Sequence, residues 1–171
     1  LTTWNFSTSP GVIPPVTSLN ETFTSCAAPL LGAFIQTSVV GTGQNWKCSN
    51  FGHTDNFAVY MNGFAAGASN DNEDWLISPP LDMSAINPFL NFYAKRRFTG
   101  TNTKDVLVST NFAGDPSTAT WTNLNVSFAS LDTVWTNFPN ISLAAYKANP
   151  FHIAFKYVST AAGTSDEWTL D

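Results

Sequence analysis

Three carboxylates, Asp71, Glu73 and Asp74, crowd a stretch that runs straight into Trp75, Leu76 and Ile77. Neighbouring carboxylates repel one another, and a hard dication held by side-chain and backbone oxygens relieves that repulsion. The spacing starts like an EF-hand loop, with Asn70, Asn72 and Asp74 at its first, third and fifth positions. Trp75 then stands where that loop needs glycine, and Leu81 where it needs a bidentate glutamate, so it is not an EF-hand. The stretch is either a cation site of another kind or a solvated surface loop. Glu21 and Asp171 join it only if folding brings them close.

Other chemistries find less support. His53 and Asp55 share a face of an extended segment, so an imidazole oriented by a carboxylate can form, yet no serine or cysteine nucleophile is placed to use it. His152 falls on the expected outer face of a strand. No nucleophile elbow, zinc-protease helix, phosphate loop or dinucleotide fingerprint is present. Paired carboxylates for glycoside hydrolysis are a property of the fold rather than of spacing. Two cysteines are too few for a four-cysteine zinc site. In an oxidising compartment Cys26 and Cys48 would close one loop, which the chain-entropy model values at about 3 kcal/mol; a pair of unbonded buried thiols is the alternative.

Composition narrows the partners. Seven Lys and Arg against twelve acids, with a net charge of -5, cannot present a basic face to a phosphate backbone, so nucleic acid is not an expected partner. Charged residues are 11% of the chain and aromatics 14%. A surface so poor in charge is kept in water by hydroxyls and amides, as in many secreted β-proteins. No apolar run is long enough to span a bilayer, and the first residues lack a basic start followed by an apolar stretch, so the chain reads as mature, any leader removed. Six tryptophans offer either core or platforms for a ligand; Trp46, Trp121 and Trp135 cannot be sorted by sequence. Arg96 and Arg97 form a small basic cluster, read first as a solvated strand edge and second as a site for anionic glycans.

The elements that must position these residues are strands. In Phe151 to Val158, Phe151, Ile153, Phe155 and Tyr157 alternate with His152, Ala154 and Lys156, the period of a half-buried strand. Residues 89–98 and 104–110 have strand composition and are joined by a turn-forming stretch, which predicts a hairpin. Further strands are predicted at 19–23, 33–40, 57–64, 75–78, 121–126, 140–143 and 168–171, separated by Gly-, Ser-, Asn- and Asp-rich breaks. Only the short 142–148 stretch looks helical. Many short strands predict an all-β fold: an antiparallel two-sheet jelly-roll β-sandwich over 19–171, after an irregular segment or linker at 1–18.

The ordered blocks 43–64, 70–84, 89–97, 106–124 and 151–171 resemble the choice-of-anchor J and cleaved-adhesin families. Most specific are acid-Asp-Trp-Leu-Ile-Ser-Pro at 73–79 and the closing Ile-Ala-Phe-Lys-Tyr and Trp-Thr-Leu-Asp. These are extracellular β-sandwich modules found especially in surface and secreted proteins of Bacteroidetes, including the adhesin regions of gingipain proteases. The resemblance implies a jelly roll of the galactose-binding and concanavalin-like architecture with structural calcium. It implies Glu21 and Asp171, on the first and last strands, as a shared metal pair with Asp74; the acidic stretch itself offers Asp71 and Glu73 as additional metal or loop ligands. The Asp-rich insertion before the tryptophan of gingipain modules is absent, which removes any calcium site built from it.

The expected function is therefore that of a non-catalytic adhesion module of a larger secreted, periplasmic or cell-surface protein. Its expected partner is a glycan or a host or extracellular protein. A small polysaccharide hydrolase and a purely structural spacer are the alternatives.

Overall fold

The computed structural model of the chain describes residues 13–24, 30–54 and 56–171. Cys26 and Asp55 lie outside them. In chain order the strands are β1 (Leu30–Leu31), β2 (Phe34–Val40), β3 (Lys47–Ser49), β4 (Ala58–Asn62), β5 (Phe64–Ala65), β6 (Ala68–Ser69), β7 (Asn72–Ile77), β8 (Phe89–Arg97), β9 (Thr103–Ser109), β10 (Thr122–Asn123), β11 (Thr136–Ser142), β12 (His152–Ser159) and β13 (Glu167–Leu170). A six-stranded sheet in the order β1-β2-β7-β12-β9-β10 packs against a five-stranded sheet in the order β11-β8-β13-β4-β3, with β5-β6 a small separate ribbon. All pairings between these strands are antiparallel. The fold is the expected antiparallel sandwich.

Alternation along β12 builds the centre of the core. Phe151, Ile153, Phe155 and Tyr157 are buried between the sheets, where Phe155 meets Trp168 at 5.9 Å and Phe92 at 5.1 Å, both edge to face. Trp168 in turn packs 5.6 Å from Trp46. Such rings bring large apolar area with preferred tilted geometry, which fixes how far apart the sheets stand. The other face of β12 is not simply wet. Ala154 is buried there with Trp75, Ile77 and Leu107, under Phe112 and Trp121 from the following loop. Half-buried His152 sits at that layer, its Nδ1 2.8 Å from the Ser78 carbonyl and its ring edge-on to Phe112.

Several expectations are corrected. Residues 89–98 and 104–110 do not form a hairpin: β8 pairs β11 and β13, whereas β9 pairs β12 and β10. The connection crosses from one sheet to the other because Phe92 and Ala94 on β8, and Val106 and Val108 on β9, all face the core. Residues 19–23 are not a strand; the Glu21 carboxylate accepts the N–H groups of Thr22 and Phe23, and Phe23 has φ +50°, which takes this backbone out of a ladder. The strand predicted at 121–126 shrinks to β10, since Asn125 turns at φ +53°. The acidic stretch is strand from Asn72 onward rather than loop up to Trp75. Residues 142–148 give a 3-10 turn at Ala144–Tyr146. Val16, in the segment expected to be irregular, forms a parallel bridge with Leu81.

The crossover is tight at Gly100. A Cβ there would lie 2.4 Å from the Asp166 backbone nitrogen and 2.3 Å from Asn102 Oδ1, whereas at Gly43 it would meet nothing within 4 Å. Gly100→Ala should lower the thermal midpoint, with a cost of roughly 1–3 kcal/mol, while Gly43→Ala stays near wild type. Equal midpoints for the two variants would contradict this account of the crossover.

Candidate functional site

Period two on β7 puts Glu73, Trp75 and Ile77 on the outer face and Asn72, Asp74 and Leu76 inside. Asp74 is 1% exposed. One carboxylate oxygen meets the Ser38 hydroxyl, which also lies 2.7 Å from Asn45 Oδ1. A hydroxyl has one hydrogen to give, so the trio closes when Asp74 carries a proton. Asp74 Oδ2 and Asn72 Oδ1 are buried with no hydrogen-bond partner. Burial pushes the Asp74 carboxyl up to about 7, opposed by the Ser38 hydrogen bond and reinforced by the charge of Glu73.

The other expected acids do different work. Glu21 accepts the N–H groups of Thr22, Phe23 and Ala33, bracing the turn at Gly32, whose φ is +61°. Asp171 Oδ2 accepts the His53 N–H at 2.5 Å. Glu21 and Asp171 line one cavity of about 120 Å³, and Asp74 does not. Glu73 pairs with Lys156 at 3.0 Å and accepts the Trp75 indole N–H; Asp71 accepts the Ala161 N–H. Among the described residues no three His, Cys, Asp or Glu side chains converge as a metal cluster. Cys48 is disulfide-bonded.

Packing sorts the tryptophans. Trp46 is 2% exposed, so the expectation that it touches a ligand gives way to a core role. Trp121 is half-buried against Trp75 at 5.0 Å and donates to the Pro116 carbonyl. Trp135 is half-exposed beside β8, with Lys95 Nζ 4.3 Å from its ring centre and the edge of His53 at 5.8 Å. His53 stacks on Tyr93 at 3.7 Å and 14°. Trp135, His53, Tyr93 and Lys95 thus form one aromatic and cationic patch on the outer face of the five-stranded sheet, with Phe51, 73% exposed, on the same loop as His53. Lys95 reaches back to the Phe51 carbonyl at 3.2 Å. Tyr93 and Lys95 are two apart on a strand, which was readable; the loop that brings His53 over them was not.

The arginines part company as neighbours on a strand must. Arg97 points outward, 3.5 Å from Glu167 and 5.2 Å from the Phe98 ring. Arg96 shares the inward parity of Phe92 and Ala94 and lines a cavity of about 380 Å³ with Lys104 and Asp166. Lys104 Nζ lies 2.7 and 2.8 Å from the two Asp166 oxygens, and both side chains are almost fully buried. The parity of Lys104 with Val106 and Val108 announces an inward cation; its partner, 62 residues away, is a matter of folding.

Because Asp74 holds its proton more tightly folded than unfolded, it stabilises the fold at acid pH, and that contribution is lost as pH rises through about 7. His152 is shifted the other way by burial and opposes this below its ordinary range. The test is therefore a difference: without divalent cation, the melting temperature of the wild type should fall by several degrees relative to Asp74→Asn from about pH 5 to about pH 8. Parallel pH profiles would contradict a protonated Asp74.

No family model and no curated protein matches the sequence. Solved structures do match the fold. The K2 cleaved adhesin domain of Lys-gingipain aligns with a TM-score of 0.60 at 15% identity, over 86% of this chain and 90% of that one. The K1 domain, from Porphyromonas gingivalis W83, aligns at 0.57 and 18% identity over 81% and 90%. The K3 domain from the same source aligns at 0.57 and 13% identity over 81% and 91%. The chain has the fold of the cleaved adhesin domains.

Proposed function

We propose that the chain is a non-catalytic recognition module of a larger secreted or cell-surface protein, and that it binds glycan. The observation that carries this reading is the outward patch of Trp135, His53, Tyr93 and Lys95. Flat aromatic faces take the apolar face of a sugar ring, and the neighbouring amine and imidazole give directional bonds to hydroxyls. The fold of the adhesin domains supports a binding role, and the disulfide at Cys48 supports an oxidising, extracytoplasmic setting. Exposed Phe51 and Val134 favour a second reading, in which the same face binds an extracellular protein.

Structural calcium belongs to the same reading, at Asp74. The donors there are all oxygens, and the partnerless Asp74 Oδ2 and Asn72 Oδ1 suit a hard cation. Glu21 fits one less well, its carboxylate being engaged by three backbone amides. Calcium would keep Asp74 ionised and hold the end of β2 against β7.

On a glycan array, Trp135→Ala should abolish binding while Ile86→Ala, an exposed residue elsewhere, leaves it intact. Binding that survives Trp135→Ala would overturn the patch, and binding only to proteins would favour the second reading. Millimolar calcium should raise the melting temperature over EDTA in the wild type and not in Asp74→Asn; the same rise in both would move the cation elsewhere.

A further inference from the structure

The cavity between Arg96 and Lys104 carries an inference separate from the outward patch. It is lined by apolar Val126, Phe128 and Leu131 together with polar Arg96, Asn102 and Lys104. The Asp166 carboxylate is fully engaged there: Lys104 grips both of its oxygens, and Asn102 Nδ2 donates to it at 3.0 Å. Asp105 also lines the cavity, but its carboxylate accepts from Asn123 at 2.8 Å. The Arg96 guanidinium has no hydrogen bond or ion pair with another described residue, although its backbone N–H is held by the Asp132 carbonyl. Five fixed donors in a planar fork, facing a half-apolar cavity beside a buried and already neutralised ion pair, are suited to a carboxylate carried on a partly apolar ring.

From this geometry we infer that the Arg96 cavity is a binding subsite for a uronate sugar, its carboxylate on Arg96 and its ring against Phe128 and Val126. The inference rests on the reading of the chain as a glycan-binding module, and adds an acidic-sugar specificity at a place the outward patch does not reach, since Tyr93 and Lys95 stand on the opposite face of β8. Lys104 and Asn102 act as positioning residues: the Asn102 side chain takes the Asp166 N–H at 2.9 Å and gives to its carboxylate, holding the polar wall rigid.

The test is a proton–nitrogen NMR titration of the chain with trigalacturonate and, as the uncharged counterpart, its full methyl ester. The acid should bind at least tenfold more tightly than the ester and shift resonances of Asn102, Lys104 and Phe128. Arg96→Gln should remove that preference, Arg96→Lys should restore part of it, and Lys147→Gln, a charge loss at a distant site, should leave it unchanged. Affinity for the acid should fall as salt is raised. Equal affinity for acid and ester, or a preference that survives Arg96→Gln, overturns the subsite. If neither probe binds while Trp135-dependent glycan binding persists, the subsite alone fails; if no glycan binds at all, the glycan reading fails with it.

Discussion

Asp166 lies where the two sheets are joined by more than apolar contact, and much of the molecule is arranged around keeping it satisfied. It immediately precedes β13 of the five-stranded sheet, yet its carboxylate is held by Lys104 of the six-stranded sheet and its carbonyl accepts the Tyr157 hydroxyl from β12 at 2.7 Å. The same hydroxyl receives the Gly63 N–H at the end of β4. A buried ion pair costs desolvation that its attraction repays only when the remaining hydrogen bonds are made. Here Asn102 makes them, and Gly100 lets the crossover strand pass close enough for it to do so. The polar knot thus ties the two sheets together at the crossover, while the Trp46, Trp168 and Phe155 contacts set their separation.

The core is built twice over. Between the sheets lies the expected layer; outside the six-stranded sheet a smaller layer of Trp75, Ile77, Leu107 and Ala154 lies under Phe112 and Trp121. That second layer leaves the outer face of the six-stranded sheet little aromatic surface for a partner. Glu73 and Lys156 seal its edge by pairing over the Trp75 ring, Nζ standing 4.7 Å from the ring centre. The aromatic and cationic patch lies on the opposite face, outside the five-stranded sheet.

Strand β8 concentrates that division in one element. Its outward side chains, Tyr93, Lys95 and Arg97, meet the loop that carries His53 and Phe51; its inward ones, Phe92, Ala94 and Arg96, run from the core into the charged cavity. Alternation lets a single strand present Tyr93 and Lys95 on one side and the Arg96 guanidinium on the other, while His53 and Trp135 complete the outward patch from neighbouring segments. Asp74 is the inward carboxylate of β7, where burial beside Ser38 and Asn45 couples the end of the sheet to protonation.

The amino-acid sequence by itself determined the local geometry. Period two in Phe151 to Tyr157 specified a strand and its buried face, the glycine- and asparagine-rich stretches specified where strands stop, and the low charge excluded a basic binding face. Asp74, Lys104 and Arg96 share strand parity with apolar neighbours, but only the folded strands show that this side is covered: the sequence reads Asp74 as loop and Arg96 as a solvated edge. Tertiary structure decided what each side faces. A turn between β8 and β9 looks the same locally whether it closes a hairpin or crosses between sheets, and only the core shared by Phe92, Ala94, Val106 and Val108 selects the crossing. Trp46 and Trp135 are not sorted by the sequence, and differ because one is buried between two sheets and the other lies beside one. The family resemblance groups Glu21, Asp74 and Asp171, but folding gives each different neighbours: turn amides for Glu21, the Ser38 hydroxyl for Asp74, and the His53 N–H for Asp171. Spacing along a chain fixes which side chains share a face; the number of layers covering that face is a property of the whole assembled sandwich.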